Sequence, residues 1–459
     1  MKISLNYFIY FGYISSFSLG YSMDFLVYAP TVTPRIQYTF NHILSNMLGF
    51  SIAITQQLDE LNQYMGPKLS YSQNKASNCI NITPHKLLFE NKIIKQSFAI
   101  PNHESLTKQL ISSDTEYVSF DLFAATFFLI SRYEEYITEG TDIHGRFEVH
   151  NSLAHKHRAL NIPLVDIWVG ELAKAIEEKF PYVQIAKRKF EFIPTIDIDN
   201  AYAYKHKGIG HNVLALANSI RKGRICDFTN RLRFMLGINS YDPYDTYQKV
   251  FRVLSLNPNA VWFILGGKRT RYDRNINVTK GAMQLLLKEI ANRFEIGVHP
   301  SYASNSNASS VGKEISLLTA CCKQDILKSR QHFLKLSLPE TYRTLVEVGI
   351  KEDYTMGYPN AIGFRASTCT PFNFYDLKSE KELSLRVVPF QVMDRALLGA
   401  FDPDQAVDTT LKLARTVSEV GGTFVTTWHN ESLSGANEWK GWEDVFERIV
   451  NGINQIGNT

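Results

Sequence analysis

Cysteine is scarce in this chain: five in 459 residues. Cys79, Cys226, Cys321, Cys322 and Cys369 form no C-x-x-C pair and leave an odd count, which fits reduced thiols better than a disulfide framework. Phosphate-cradling glycine motifs are missing too, neither the P-loop pattern nor G-x-G-x-x-G before a helix. Charge of one sign is not in excess. A net charge of +4 gives no argument for nucleic acid as a partner. Long apolar runs are also absent: residues 5–19 are aromatic-rich but broken by Asn6, Ser15, Ser16 and Ser18, too short and polar for a membrane span. They also lack an A-x-A-like cleavage site. Residues 1–22 therefore read as a leader or as a start placed upstream of Met23, and the expected location is cytoplasmic, with export as the alternative.

What is present is the composition of a globular protein, 44% hydrophobic and 20% charged, in a chain long enough for two domains. Residues 23–187 mix short strands with helices expected over 34–48, 121–136 and 165–179. This part is expected to be a smaller α+β domain. Its polar cluster of Arg132, Glu134, Glu135, His144 and Arg146 reads as a solvated ion network or as part of a site. Lys187-Arg188-Lys189 marks a domain boundary. From 188 to 459 strands and helices alternate, which implies a parallel sheet with helices outside. About seven strands with polar endings favour a closed barrel over an open sheet.

Those endings carry the chemistry. A β-prone run over 192–199 ends in Asp197 and Asp199, two residues apart and so on one face of an extended strand. The alternative is that they cap a turn. Further strand-like runs end at His299, His332, Arg365, Asp394 and at His429-Asn430-Glu431. Metal-assisted hydrolysis needs His or carboxylate ligands with an open position for water, a base for that water and an acid for the leaving group. The set contains each. Between the first two strands, 200–239 carries Lys205, Lys207, Arg221, Lys222, Arg224, Arg231 and Arg233 against Asp227. It reads as a solvated helical insertion or as a basic amphipathic helix facing a membrane surface or an anionic substrate.

Thr195-Ile196-Asp197-Ile198-Asp199, Gly297-Val298-His299-Pro300-Ser301, Ser329-Arg330-Gln331-His332 and Trp428-His429-Asn430 resemble, in order and context, the motifs of the polysaccharide deacetylases. These form the NodB-homology superfamily, carbohydrate esterase family four. The chain is most similar to a branch with an extra, uncharacterised amino-terminal domain; Ser131-Arg132-Tyr133-Glu134-Glu135-Tyr136 and Asp142-Ile143-His144-Gly145-Arg146-Phe147 carry that part of the likeness.

The resemblance implies a distorted (β/α)7 NodB-type barrel preceded by the smaller domain. It also implies a divalent metal, Zn²⁺ by expectation, and a carbohydrate substrate. By position it implies Asp197 as base, Asp199 and His299 as metal ligands, His429 as acid and Arg330 as the group that orients Asp197. The chain departs from the family pattern in two places. Ile198 separates the two acids, and the second metal histidine falls at Ala303, which leaves His332 either as the substitute ligand or as a buried structural histidine. Asp394 is the candidate orienter of His429. Asn430 and Glu431 compete for that role and, with Arg365 and Trp428, are the candidates for substrate contact; for Arg365 a salt bridge at the barrel rim is the alternative.

The function expected on these grounds is metal-dependent removal of an acyl group, N-acetyl by expectation, from a carbohydrate or glycan precursor. The alternatives are a degenerate sugar-binding or scaffold protein in glycan synthesis and an amidase acting on a non-sugar C–N bond. The sugar, the metal and the oligomeric state are left open by the sequence.

Overall fold

The computed structural model describes residues 24–96 and 120–457, so the segment 1–22 lies outside the described residues. Two sheets organise the chain. In the first part β1 (Asp24–Tyr28), β2 (Ser51–Thr55), β3 (Lys68–Tyr71) and β4 (Ile80–Ile82) form a sheet of order β2-β1-β3-β4. All three pairings are parallel. The expected α+β arrangement is thus corrected, because helices such as Pro34–Phe40 lie between the strands and carry the chain back to start each one alongside the last. That helix starts where Pro34 pre-sets the first turn and Thr33 Oγ1 accepts from the Ile36 N–H at 3.2 Å.

The helix expected over 121–136 is broken. Leu122–Ile130 and Tyr133–Ile137 are separate, with Arg132 between them at φ 55°. Apolar spacing is blind to this break, since its cause is polar. Arg132 is buried with Glu134 and Glu135, at 2.8 Å from each, and Glu135 also holds Arg365 at 2.8 Å. Arg132, Glu134 and Glu135 thus form a buried network, not a solvated one, that ties the first part to the second, while His144 and Arg146 are part-exposed and stand apart from it.

The second sheet contains β5 (Glu191–Ile198), β6 (Val261–Leu265), β7 (Glu295–His299), β8 (Lys328–Ser329), β9 (Glu352–Asp353), β10 (Phe372–Asp376), β11 (Lys381–Val387), β12 (Val392–Met393) and β13 (Thr423–His429). Its order is β10-β11-β9-β8-β7-β6-β5-β13-β12. Every pairing is parallel except the β10–β11 hairpin. Central strands such as β6 are buried at every residue, as strands covered on both faces must be.

The closed barrel is corrected to a sheet with two edges, β10 and β12, among the described residues. The expected strand ending at Arg365 does not form, and 354–371 holds no ladder. Across that gap runs the segment 388–391. Val388 N–H bonds Asp353 O at 2.8 Å, Phe390 N–H bonds Met356 O at 3.1 Å, and Gln391 N–H bonds Val425 O at 3.1 Å. These single bonds join the two sides without a paired strand.

The insertion after β5 is a hairpin of two helices, Ile209–Arg221 and Ile225–Met235, in place of one amphipathic helix. Its sides are inverted relative to a core-packing helix. Asn212 and Ser219 are buried, while Ile209 and Ile225 are 79% and 73% exposed. Among the described residues no helix is long and apolar enough to cross a membrane.

Candidate active site

Parallel register brings the site together. Thr195 and Asp197 share one face of β5, and His429 on β13 is the register partner of Asp197. Asp199 follows the end of β5 on the same alternation, so the intervening Ile198 is what lets both carboxylates face one way; Ile198 itself is fully buried. A period of two makes D-x-D, not adjacent acids, the extended-chain solution.

Arg330 fixes Asp197. Its Nη1 donates to Asp197 Oδ1 and to Thr195 Oγ1, each at 2.7 Å, and its Nε donates to Tyr354 O at 3.0 Å. The guanidinium lies over the Phe263 ring at 4.5 Å. Asp197 and Arg330 are both buried. In this setting the ion pair is held by geometry that Lys cannot reproduce.

Asp199, His299 and His332 form the one cluster of three side chains able to hold a metal ion among the described residues. Each histidine uses Nδ1 elsewhere. His299 Nδ1 lies 2.6 Å from Arg330 O, and His332 Nδ1 lies 2.9 Å from Asp273 Oδ1. Both partners are acceptors, so each Nδ1 donates there and each ring turns its Nε2 inward. There His299 Nε2 is 3.1 Å from Asp199 Oδ1 and His332 Nε2 is 3.3 Å from Asp199 Oδ2. Asp199 Oδ1 is buried without an aligned hydrogen-bond donor. Two imidazole Nε2 atoms and an unsatisfied carboxylate oxygen converging from three sides are a donor set that fits a divalent cation with positions left for water. His332 thus lies beside His299 and Asp199, where a second imidazole ligand would be needed, whereas Ala303 lines another cavity.

The carboxylates set the titration of two of the site's histidines. Burial alone would lower the His332 pKa, but Asp199 and Asp273 outweigh it and raise the ring to about 9. Burial likewise opposes the charged form of His429, and Asp394, followed by Asp199 and Asp197, raises it to about 10. Asp199 is held well below the usual carboxylate range, since His332 and His299 overcome the burial that would raise it. A cation placed among these groups would meet the same carboxylates.

Asp394 does orient His429. It accepts from the His429 backbone N–H at 2.8 Å and lies 2.9 Å from Nδ1, so Nε2 faces the carboxylates, 3.7 Å from Asp199 Oδ2 and 4.0 Å from Asp197 Oδ2. Asp394 begins the helix Asp394–Ala400 directly after β12, and β12 pairs with β13.

These groups open into a cavity of about 340 Å³, at the small end for ligand pockets, also lined by His144, Arg146, Arg395 and Glu431. Glu431 is therefore at the cavity, paired with Arg395 at 2.7 Å, and not beside His429 Nδ1. Three expected substrate contacts are not brought there. Trp428 is fully buried against Phe446. Arg365 is 2% exposed and bound to Glu135. Asn430 is buried and donates to Asn200 O and Tyr244 O at 3.1 Å each. Trp428 and Asn430 flank His429 in sequence but turn away from the cavity, and Arg365 lies where no strand forms.

Sequence reasoning missed Asp273 and Arg395. Asp273 is an acid in the basic loop Lys268-Arg269-Thr270-Arg271 onward from β6, and an acid one loop from a strand end was its available signal.

Comparison with known proteins gives a distant picture. Residues 25–181 match a family described as "Family of unknown function (DUF7033)". No curated protein matches the chain. Among solved structures, a candidate polysaccharide deacetylase from Mycobacterium smegmatis is 14% identical with a TM-score of 0.37, over 60% of this chain and 90% of that one. The polysaccharide deacetylase Bc1974 from Bacillus cereus is 13% identical with a TM-score of 0.27, over 58% and 88%. BA3943, a CE4 family pseudoenzyme from Bacillus anthracis, is 9% identical with a TM-score of 0.29, over 59% and 62%. Likeness this remote bears no weight on function, which has to be read from the site.

Proposed function

We propose that the protein is a metal-dependent hydrolase that removes an acyl group, N-acetyl in the first instance, from a carbohydrate. The observation that supports this reading best is the convergence on one cavity of an Arg-locked Asp197, the Asp199–His299–His332 donor set and an Asp394-oriented His429. The likeness of the strand-end motifs to those of the polysaccharide deacetylases supports the same class.

Asp199, His299 and His332 would hold the cation, which supplies Lewis acidity to the attacking water and the acyl oxygen. Asp197, immobilised by Arg330, accepts the proton of that water. His429, whose pKa Asp394 raises against burial, donates from Nε2 to the departing amine, and Asp394 keeps the proton-bearing Nδ1 turned away. The buried surroundings exclude bulk water and strengthen each of these interactions.

The test is release of acetate from a panel of N-acetylhexosamine oligosaccharides and precursors, with and without a chelator. Chelator-sensitive release that disappears in Asp197→Asn is expected. Metal-replete protein that releases acetate from none of the panel would overturn the reading in favour of a sugar-binding module.

A further inference from the structure

Directly beside the catalytic cavity lies a second, larger one, of about 520 Å³, roofed by the helical hairpin that follows β5. It begins at Asn200, the residue after the metal-donor Asp199. Two stretches of chain load it with positive charge. Lys207 and Arg224 come from the hairpin; Arg269, Arg271 and Arg274 come from the loop after β6, whose Asp273 holds His332.

None of these five cations has a carboxylate partner among the described residues. Lys207 Nζ donates to Asn200 Oδ1 at 2.5 Å, Arg269 Nη2 donates to His211 Nδ1 at 2.9 Å, and Arg274 Nε donates to Arg271 O at 3.3 Å. The acids nearby are already engaged: Asp227 with Arg231 and Ser219, and Asp242 with four backbone N–H groups. Lys207 is part-buried and Arg224, Arg269, Arg271 and Arg274 are exposed, so the five make a patch of like charge around the cavity whose potential favours an anion.

The titration behaviour of the cavity agrees. Burial lowers the Lys207 pKa to about 7 against a pull from Asp242, and Arg231 and Arg269 push it down further. Burial and then Arg269, Lys207 and Arg231 lower His211 to about 4, so its ring is neutral and able to accept from Arg269.

We infer that this cavity binds the phosphate or diphosphate group of a glycosyl phosphate, holding the attached acylated sugar over the neighbouring catalytic groups. The inference rests on the proposed hydrolase reading for the sugar, and on the cavity alone for the anion. Planar, multiply donating Arg side chains suit phosphoryl oxygens. A hairpin with Ile209, Val213, Ile220 and Ile225 exposed on its outer side favours a lipid carrier over a nucleotide as the source of the phosphate.

The binding test uses inorganic pyrophosphate by calorimetry, with a chelator in excess so that the catalytic metal donors take no part. The full chain is expected to bind, and Arg269→Gln with Arg274→Gln, both on an exposed loop, to weaken binding about tenfold or more, because each charge-assisted hydrogen bond lost is worth a comparable factor. Lys207→Met should do the same, and Arg448→Gln, on a remote surface helix, should not. Affinity unchanged in both cavity variants, with melting curves like the parent, overturns the site.

Two further arms identify the source: flotation with zwitterionic vesicles containing or lacking a lipid-linked glycosyl phosphate, and competition by a nucleotide diphosphate-N-acetylhexosamine. A protein that binds pyrophosphate through these residues yet releases no acetate defeats the hydrolase reading and leaves the anion site standing. One that deacetylates neutral and phosphorylated substrates equally well in parent and cavity variants defeats the substrate inference alone.

Discussion

Arg330 Nη1 and Asp197 Oδ1 lie 2.7 Å apart between buried side chains, and the same nitrogen reaches Thr195 Oγ1 on the strand that carries the carboxylate. One cation therefore fixes both the charge and the direction of the proposed base. Lys in its place would keep the charge and lose the shared geometry. Arg330→Lys is expected to lower kcat for acetate release about 100-fold, the scale of loss for misplacing a catalytic group by about 1 Å. Metal content, measured by elemental analysis, should stay stoichiometric. A kcat within a few-fold of the parent would show that Asp197 needs no such support.

Asp273 acts on the metal donors through His332 Nδ1. Replacing it by Asn keeps the shape but removes the charge that fixes the tautomer and raises the basicity of the ring. Asp273→Asn should weaken metal affinity by about 10- to 100-fold, as is usual when such an outer partner is lost. Competition with a chromophoric chelator measures this directly. Equal affinity in parent and variant would place His332 outside the donor set.

The His429–Asp394 pair makes a prediction about pH. His429 has to be protonated to act as an acid, and the neighbouring Asp394 is the first group that raises its pKa against burial, to about 10. Activity that depends on the charged ring is complete below that pKa and falls as pH rises through it. Removing the Asp394 charge lowers the pKa, so in Asp394→Asn the alkaline limb of the kcat/KM profile should move to lower pH. An unmoved limb with reduced kcat would assign Asp394 a purely positional role.

How far the site was legible in sequence follows from where its residues sit. Asp197, Asp199, His299 and His429 end or follow regular strands, β5, β7 and β13, and a period of two with a terminal polar residue is visible in one dimension. His332 lies beyond a two-residue strand, and its backbone N–H bonds Pro300 O at 3.2 Å outside any ladder, so its partnership depends on tertiary contacts. Arg365 misled for the complementary reason: a glycine and a phenylalanine before a polar residue look like a strand end, but the chain there is irregular and Gly363 sits at φ 119°. The hairpin β10–β11 went unread although Leu383, Leu385 and Val387 alternate with exposed Ser384 and Arg386 on β11, because its partner β10 is buried at all but one residue and shows no such period. Closure failed as an expectation because neither the two-residue strands β8, β9 and β12, which help bring the sheet to nine, nor the pairing of the outermost strands is readable from sequence.

Glu135 is the pivot between the two parts of the chain. It accepts from Arg132 Nε at 2.8 Å and from Arg365 Nη2 at 2.8 Å and Nε at 3.0 Å, and Arg132 also bonds Arg365 O. Burial would raise its carboxyl, but Arg365 and Arg132 hold it below the ordinary carboxylate range. Glu135→Gln leaves the buried Arg365 without an anion, while Arg132 keeps Glu134 at 2.8 Å, and the change is expected to cost about 3–5 kcal/mol. Urea unfolding should report that loss, with acetate release by the folded fraction little changed. A variant as stable as the parent would mean that solvent reaches this network.

Gly297 carries the last prediction, because it links a backbone position to the proposed base through two aromatic contacts. A Cβ built at Gly297 lies 2.5 Å from the Phe263 ring and 2.9 Å from Lys328 O. The backbone oxygen cannot give way, so Phe263 has to move. That ring is the surface under the Arg330 guanidinium, 4.5 Å away, and Arg330 holds Asp197. Gly297→Ala should therefore destabilise the protein by about 1–3 kcal/mol, the usual cost of overpacking a filled core, and should also lower kcat with little effect on KM, since the cavity wall is untouched. Gly297→Ala combined with Phe263→Leu makes room for the methyl group and should recover stability before it recovers kcat, because the face that supports Arg330 is still missing. Recovery of both together would show that Phe263 contributes bulk alone and that Arg330 is positioned by its hydrogen bonds.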